Sequence, residues 1–471
     1  MSMNELDVDK SFLKKSTLFN ILGTVLKICG PLLTIMLARI FGAGEFGIFV
    51  STQGLLLTIA RASTLGLDIG LRWYLPQNKL HGRVAYNGIM ESFWISVAVS
   101  LFITVVIIVG SFTPLISDEL PYYAISLVFY SGMYVLSSSS EGNRKPWISI
   151  FINDFVIAVM APLVSIVLHY LDIPHALPFG LLFGQVIGFT LHAKAVRKQF
   201  KTMPVIPQGR ASKELVMYSI PLGLTVFVGN LLQRSTLWMV LFFLGAEASG
   251  VYALMMTLAN GLQTIRNGFN PIITPVVSGM DESRLKTDLK PVYSYCVSMA
   301  TMIQVIIGFF IVLFPEEIMS IAGKSYVVQP MALGILLFFQ LVVTFFGMVN
   351  TVIDGIGKSV VNLKASVIQL LTSVVAGFIL IPQFGLLGAA LSMLIYGIVS
   401  SVYCNVYLLK RSLQPYSSKL WIDIVWMVLL LALYILINAQ VVTLTMVGKI
   451  AVYVCVLLLL GAQFLFYKRK F

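Results

Sequence analysis

Apolar runs of about twenty residues recur along this chain, separated by short polar turns, and no other feature of the sequence limits its fold so strongly. A run of that length is what an α-helix needs to cross roughly 30 Å of hydrocarbon at about 1.5 Å per residue. No water reaches that layer to bond the backbone, so only a structure that satisfies its own amides can cross it. The runs lie near 16–40, 46–74, 88–112, 121–140, 147–170 and 177–194, then 215–244, 249–279, 291–314, 330–353, 360–381 and 386–409, and finally 420–438 and 445–467. A large water-soluble core is excluded, because 58% of the 471 residues are hydrophobic and 11% charged, against roughly 45–50% apolar in soluble domains. The sequence predicts an all-α polytopic membrane protein of about fourteen transmembrane helices.

Charge then divides and orients the chain. From Lys194 to Lys213 there are six Lys or Arg, no acid, and two prolines, Pro204 and Pro207. This segment is the expected cytoplasmic linker at 195–214, between bundles at 1–194 and 215–410, with two further helices and a basic tail at 411–471. Lys and Arg are retained on the cytoplasmic side. With both termini inside, 24 of the 32 cations fall in inner segments, whereas the outer loops hold only Lys324 and Lys449 beside Asp118, Glu119, Asp172, Glu247, Glu316 and Glu317. The net charge of +12 is therefore expected to meet anionic lipid rather than nucleic acid. The opening MSMNELDVDKSFLKK has no cleavable signal pattern, so the whole chain is read as mature.

Motifs for metal or nucleotide chemistry fail on spacing. Cys29, Cys296, Cys404 and Cys455 all lie in apolar runs, and His81, His169, His175 and His192 fall at loops or run ends and show no ligand spacing, so neither metal nor cofactor is expected. Gly323-Lys324-Ser325 and Gly357-Lys358-Ser359 look like ends of a phosphate-binding loop, but Ile318 and Val352 stand where its first glycine belongs. Gly180, Gly184 and Gly188 make a small-residue stripe read as a helix-packing face.

The first twelve runs repeat as six and six. Phe41-Gly42-Ala43 with Gly47 and Phe49 recurs 203 residues later as Leu244-Gly245-Ala246 with Gly250 and Tyr252. Glu141-Gly142 with Lys145 recurs as Asp354-Gly355 with Lys358, and Phe179-Gly180-Leu181-Leu182 as Phe384-Gly385-Leu386-Leu387. Three matches in the same order indicate a parallel duplication, a plan several transporter folds use to build a central site.

LARIFGAGEFGIF after the first run, EGNRKP and DGIGKS after the fourth and tenth, and IPQFGLLGAALS between the eleventh and twelfth are together similar to polysaccharide flippases of the multidrug/oligosaccharidyl-lipid/polysaccharide superfamily. The chain resembles the Wzx-type O-antigen translocases in particular, over nearly its whole length. That resemblance implies two MATE-like six-helix bundles and a transporter of the bacterial inner membrane rather than an enzyme. The implied cargo is a polyprenyl diphosphate-linked oligosaccharide, moved from the cytoplasmic to the periplasmic leaflet by alternating access. A polysaccharide polymerase and a chain-length regulator are the partners it implies, alongside membrane lipid.

Charge inside the membrane is costly and marks a cavity or a partner. Lys27 lies twelve residues past Lys15, near mid-membrane, on a polar stripe with Asn20, Thr24 and Thr34. Gln53, Arg61, Asp68 and Arg72 share a face of the second run; Asn230, Gln233 and Arg234 lie in the seventh, and Asn260, Gln263, Arg266, Asn267 and Asn270 in the eighth. These stripes are expected to confront one another around a cationic cavity in which Lys27, Arg61, Arg234 and Arg266 meet a diphosphate and Asn230, Gln233, Asn260, Gln263, Asn270 and Gln53 meet sugar hydroxyls. Asp68 either neutralises an arginine or shares with Asp154 the role of ion-coupling carboxylate, and Arg39 and Arg72 are close enough to span ends to snorkel. Two other classes remain open. A cation or drug antiporter of the same fold needs carboxylates that are scarce here; a polysaccharide polymerase or ligase needs a large outer loop, whereas those near 112–121 and 314–330 hold about ten to sixteen residues.

Overall fold

A computed structural model of the chain describes residues 29–77, 82–111, 119–143, 145–200, 213–278, 282–356, 358–413, 415–417, 420–438 and 445–470. Residues 201–212 of the basic linker fall outside them. The helices are α1 Cys29–Ser63, α2 Leu67–Gln77, α3 Gly82–Gly110, α4 Leu120–Gly142, α5 Pro146–Ile150, α6 Ala158–Tyr170, α7 Ala176–Phe200, α8 Lys213–Leu244 and α9 Ala246–Ser278. They continue with α10 Glu282–Leu313, α11 Pro315–Ser320, α12 Pro330–Gly347, α13 Val349–Gly355, α14 Ser359–Phe384, α15 Leu386–Leu409, α16 Trp421–Asn438 and α17 Met446–Lys470. A π-helical stretch, Phe151–Ile157, joins α5 to α6. Among the described residues there is no strand.

Eleven of these helical stretches are long and apolar enough to cross a bilayer. The expected fourteen follow from particular residues. α1 is two helices divided by a kink at Gly42, whose φ is 76°, and residues 16–28 of the first expected run lie outside the described residues. α4, which carries Ser137–Ser140, and α9, with its Asn, Gln and Arg side chains, have the length of spans but are more polar. The protein is thus an all-helical, multi-pass membrane protein.

The chain forms two compact units, Met1–Phe41 with Ile48–Arg234, and Gly42–Gly47 with Ser235–Phe471. In the first, α4 packs against α2, α3 and α7. Two of its buried serines are satisfied by backbone carbonyls: Ser131 Oγ donates to Ser96 O at 3.1 Å, and Ser139 Oγ to Val135 O at 2.7 Å. The glycine stripe of α7 is a packing face. Gly180, Gly184 and Gly188 abut Ser165, Ala161 and Ile157, residues spaced by four on the preceding helix and running the opposite way. Large apolar side chains such as Phe102 and Trp94 are exposed, which suits a surface turned to lipid.

In the second unit α12 packs against α9, α10 and α15, and α16 and α17 lie on α10. The turns opening the second and eighth spans are alike in structure as in sequence, with Gly42 at φ 76° and Gly245 at φ 87°, a region that side-chain-bearing residues avoid. Beyond them the segments meet reciprocally. A Cβ on Gly47 would strike the Ala246 carbonyl, and one on Gly250 would strike that of Ala43. The third sequence match does not carry over. Gly385 is the turn between α14 and α15, with a φ of 62°, whereas Gly180 sits inside α7. The corresponding turn of the first half is longer, and Asp172 and His175 supply its positive φ values of 53° and 57°.

Gly184→Leu tests the α6–α7 seam. A Cβ there would already lie 2.7 Å from the Ala161 Cβ, so overpacking should cost about 1–3 kcal/mol, read as a lowered thermal midpoint in detergent micelles. An unchanged midpoint would show that the seam is not close-packed.

Candidate functional site

Polar side chains gather in one cluster inside each unit. In the first unit the cluster is built on the helix break at Thr64–Gly66, where Leu65 has a φ of 51° and Gly66 one of 76°. Gly66 also lets the break press against Ser219 and Gly223 of α8, since any side chain there would overlap them. Arg61, in the last turn of α1, reaches across the break to Asp68 in the first turn of α2 and pairs with it through Nη1 and Oδ2. The other carboxylate oxygen accepts from Thr64 Oγ1 at 2.8 Å. Asp68 is 1% exposed, and this ion pair supplies the counter-charge that burial requires.

The free face of Arg61 stacks on Tyr134, with its guanidinium carbon 3.7 Å from the ring centroid. Tyr134 stacks on Tyr130, one turn earlier on α4, at 6.4 Å between centroids. Gln53 Nε2 donates to the Tyr130 hydroxyl at 3.4 Å. Arg234 completes the group. Its side chain lies along Gly54, so that a Cβ at that position would be 3.1 Å from Arg234 Cδ, and its charge is felt by both tyrosines. Among the described residues Arg234 forms no ion pair. Arg72, in the middle of α2, pairs with Glu141 at 2.9 Å and so needs no cavity role.

In the second unit the cluster lies along α9. Asn260 Oδ1 accepts from Gln340 Nε2 of α12 at 3.4 Å, and Gln304 Nε2 of α10 donates to Leu262 O at 2.7 Å. One turn further, Arg266 lies near Tyr396 of α15, whose ring packs on Phe339 at 5.4 Å. Arg266 Nη1 is buried and has no hydrogen-bond partner, and the arginine has no ion pair among the described residues.

Several sequence candidates are placed differently. Asn230 donates to Val226 O of its own helix at 2.9 Å, Gln233 is exposed and Gln263 half-buried. Asp154 lies in the π-helical stretch, half-buried. Lys27 and the side chain of Asn270 lie outside the described residues. His192, which its position suggested would be at a span end, is buried in α7, and its Nε2 is 3.0 Å from Asn153 Oδ1. Tyr130, Tyr134, Gln340 and Tyr396 join the clusters without having been singled out, because one tyrosine or glutamine in an apolar helix carries no pattern.

Comparison with known proteins gives a family match over residues 36–327, to the polysaccharide biosynthesis protein family. The probable multidrug resistance protein YpnP of Bacillus subtilis (strain 168) is 26% identical over 230 residues, covering 45% of this chain. The chain spans about half, 48%, of the length of that curated relative. Among solved structures, the lipid II flippase MurJ in an inward closed conformation superposes with a TM-score of 0.72 over 96% of this chain and 99% of its own, at 14% identity. An inward-facing multidrug resistance MATE family transporter of the MOP superfamily gives 0.62 over 83% and 98%, at 16% identity. Likeness at that identity establishes a shared fold.

Removing one partner of the Arg61–Asp68 pair strands the other. Arg61→Ala should destabilise the protein by about 3 kcal/mol, and adding Asp68→Asn should restore part of that loss, measured as thermal midpoints of the single and double variants. Additive losses would mean that the two groups do not depend on each other.

Proposed function

The chain belongs to the polysaccharide biosynthesis protein family, and from that premise we propose that it is a flippase for a polyprenyl diphosphate-linked oligosaccharide, the repeat unit of O-antigen or a related surface polysaccharide. It carries this lipid from the cytoplasmic to the periplasmic leaflet of the bacterial inner membrane by alternating access, with both termini in the cytoplasm. A polysaccharide polymerase and a chain-length regulator act on the same product and are its expected partners.

The observation that carries this reading is a pair of half-buried arginines, Arg234 and Arg266, the second with its Nη1 shut off from solvent, that no carboxylate neutralises among the described residues. A cation in a low-dielectric interior is tolerated when a ligand supplies the counter-charge, and a diphosphate matches the planar donor fork of arginine. Arg61 faces tyrosine on one side and Asp68 on the other, so it offers the ligand a weaker field. The amides of Gln53, Asn260, Gln263 and Gln340 and the hydroxyls of Tyr130 and Tyr134 suit sugar hydroxyls, with Lys27, Asn230, Gln233 and Asn270 assigned to the same work by the polar stripes. Asp68 and Asp154 stay candidates for ion coupling, Asp68 only if its pair with Arg61 opens.

The likeness to YpnP favours a second reading, an efflux carrier for cationic drugs. Such a carrier would need exposed carboxylates where this chain has cations. Arg234→Ala and Arg266→Ala should each lower periplasmic appearance of lipid-linked oligosaccharide by roughly thirty-fold or more, about 2 kcal/mol, at unchanged membrane abundance, while the lysine variants keep part of the activity. Wild-type translocation by both alanine variants would remove the anion-binding role. Loss of drug resistance in the same cells would favour the efflux reading.

A further inference from the structure

Asp423 lies in the first turn of α16, one of the two helices outside the internal repeat, and is 1% exposed. Its Oδ1 accepts from Ser298 Oγ of α10 at 3.2 Å, whereas Oδ2 is shut off from solvent and has no hydrogen-bond partner. Gln463 of α17 turns its buried Nε2 donor toward the same carboxylate, and its Oε1 accepts from Trp426 Nε1 at 2.7 Å.

No cation answers this carboxylate among the described residues. Among the described side chains, the titratable and charged groups on the elements packed against α16 are Lys290, Tyr293, Tyr295 and Cys296 of α10 and Lys449, Tyr453 and Cys455 of α17, and α12 carries none. An uncompensated carboxylate inside a membrane domain is too costly to persist. A hard metal ion would require about six oxygen ligands, more than Asp423 and Ser298 can assemble, whereas a proton requires one lone pair.

Ser298 is also part of a stripe. Ser294, Ser298, Thr301 and Gln304 follow at spacings of four, three and three on one face of α10, none more than 4% exposed. At one end Ser294 Oγ accepts from Ser417 N at 3.0 Å, in the connection that leads into α16. At the other Gln304 bonds Leu262 O, one turn from Arg266. Thr301 Oγ1 and Gln304 Oε1 are buried without partners, and unpaired polar atoms in sequence along a face mark places for bound water.

We propose that Asp423 is a proton-binding site that couples proton uptake to transport, with the polar stripe of α10 as the route between it and the α9 cluster. The coupling half rests on the flippase reading; the proton site does not.

Infrared titration of the purified full chain tests the site without any transport. The wild type should show a carboxylic-acid band near neutral pH that is missing from Asp423→Asn, a variant able to keep the Ser298 bond; no difference between the two spectra overturns the site. In proteoliposomes loaded with lipid-linked oligosaccharide, an imposed proton gradient should accelerate wild type and Asp423→Glu several-fold and leave Asp423→Asn at its basal rate. Equal acceleration of all three overturns the coupling. Presence of the band with no translocation by the wild type under any gradient would uphold the site and fail the flippase reading instead.

Discussion

An unbonded amide in hydrocarbon costs several kcal/mol, so every departure from continuous helix must be sheltered by protein. In this chain the departures are few and placed with consequence. The break at Thr64–Gly66 is covered by Ser219 and Gly223 of α8 and spanned by the Arg61–Asp68 pair. The π-helical stretch Phe151–Ile157 turns Asn153 toward both Ser137 and His192, at 3.1 and 3.0 Å. Such widened turns often occur where a helix serves a function. The polar chemistry of the first unit is concentrated at the two places where its helices are interrupted.

Charge follows the same economy and separates the arginines into two kinds. Arg61 and Arg72 have carboxylates within reach, so their positions are secured by the fold itself. Arg234 lies near Tyr130 and Tyr134, and Arg266 near Tyr396, none of which cancels a cation's charge. Position 264, the repeat equivalent of Arg61, is a threonine whose hydroxyl bonds Asn260 O at 3.2 Å. The duplicated halves therefore keep a common helical plan while distributing their charges differently.

The spans and the paired glycine turns were legible because hydropathy and glycine spacing are properties of continuous sequence. The arginines were legible for the same reason, as a cation in an apolar run stands out. What could not be read is pairing across space. Tyr130 and Tyr134 have a role only because Gln53 and Arg61 of α1 reach α4, and Gln340 only because α12 faces α9. The match between Phe179-Gly180 and Phe384-Gly385 shows the opposite error, in which similar residues occupy a helix interior in one half and a turn in the other. His192 was misplaced because its distance from the run's end concealed that α7 continues to Phe200.

The crossing of Ala43–Gly47 with Ala246–Gly250 has the form of a contact between two copies of one subunit, each offering the other the same motif. Two separate copies of one chain would have to present the same residue on both sides of such a contact. Fusion removes that obligation. At the position just before the second glycine one copy now holds Phe46 and the other Ser249, both fully buried, and Phe46 packs edge-on to Tyr326. Two phenylalanines at a self-matching contact would risk overfilling it and two serines would risk leaving a void; one of each is a solution open only to a chain that carries both copies.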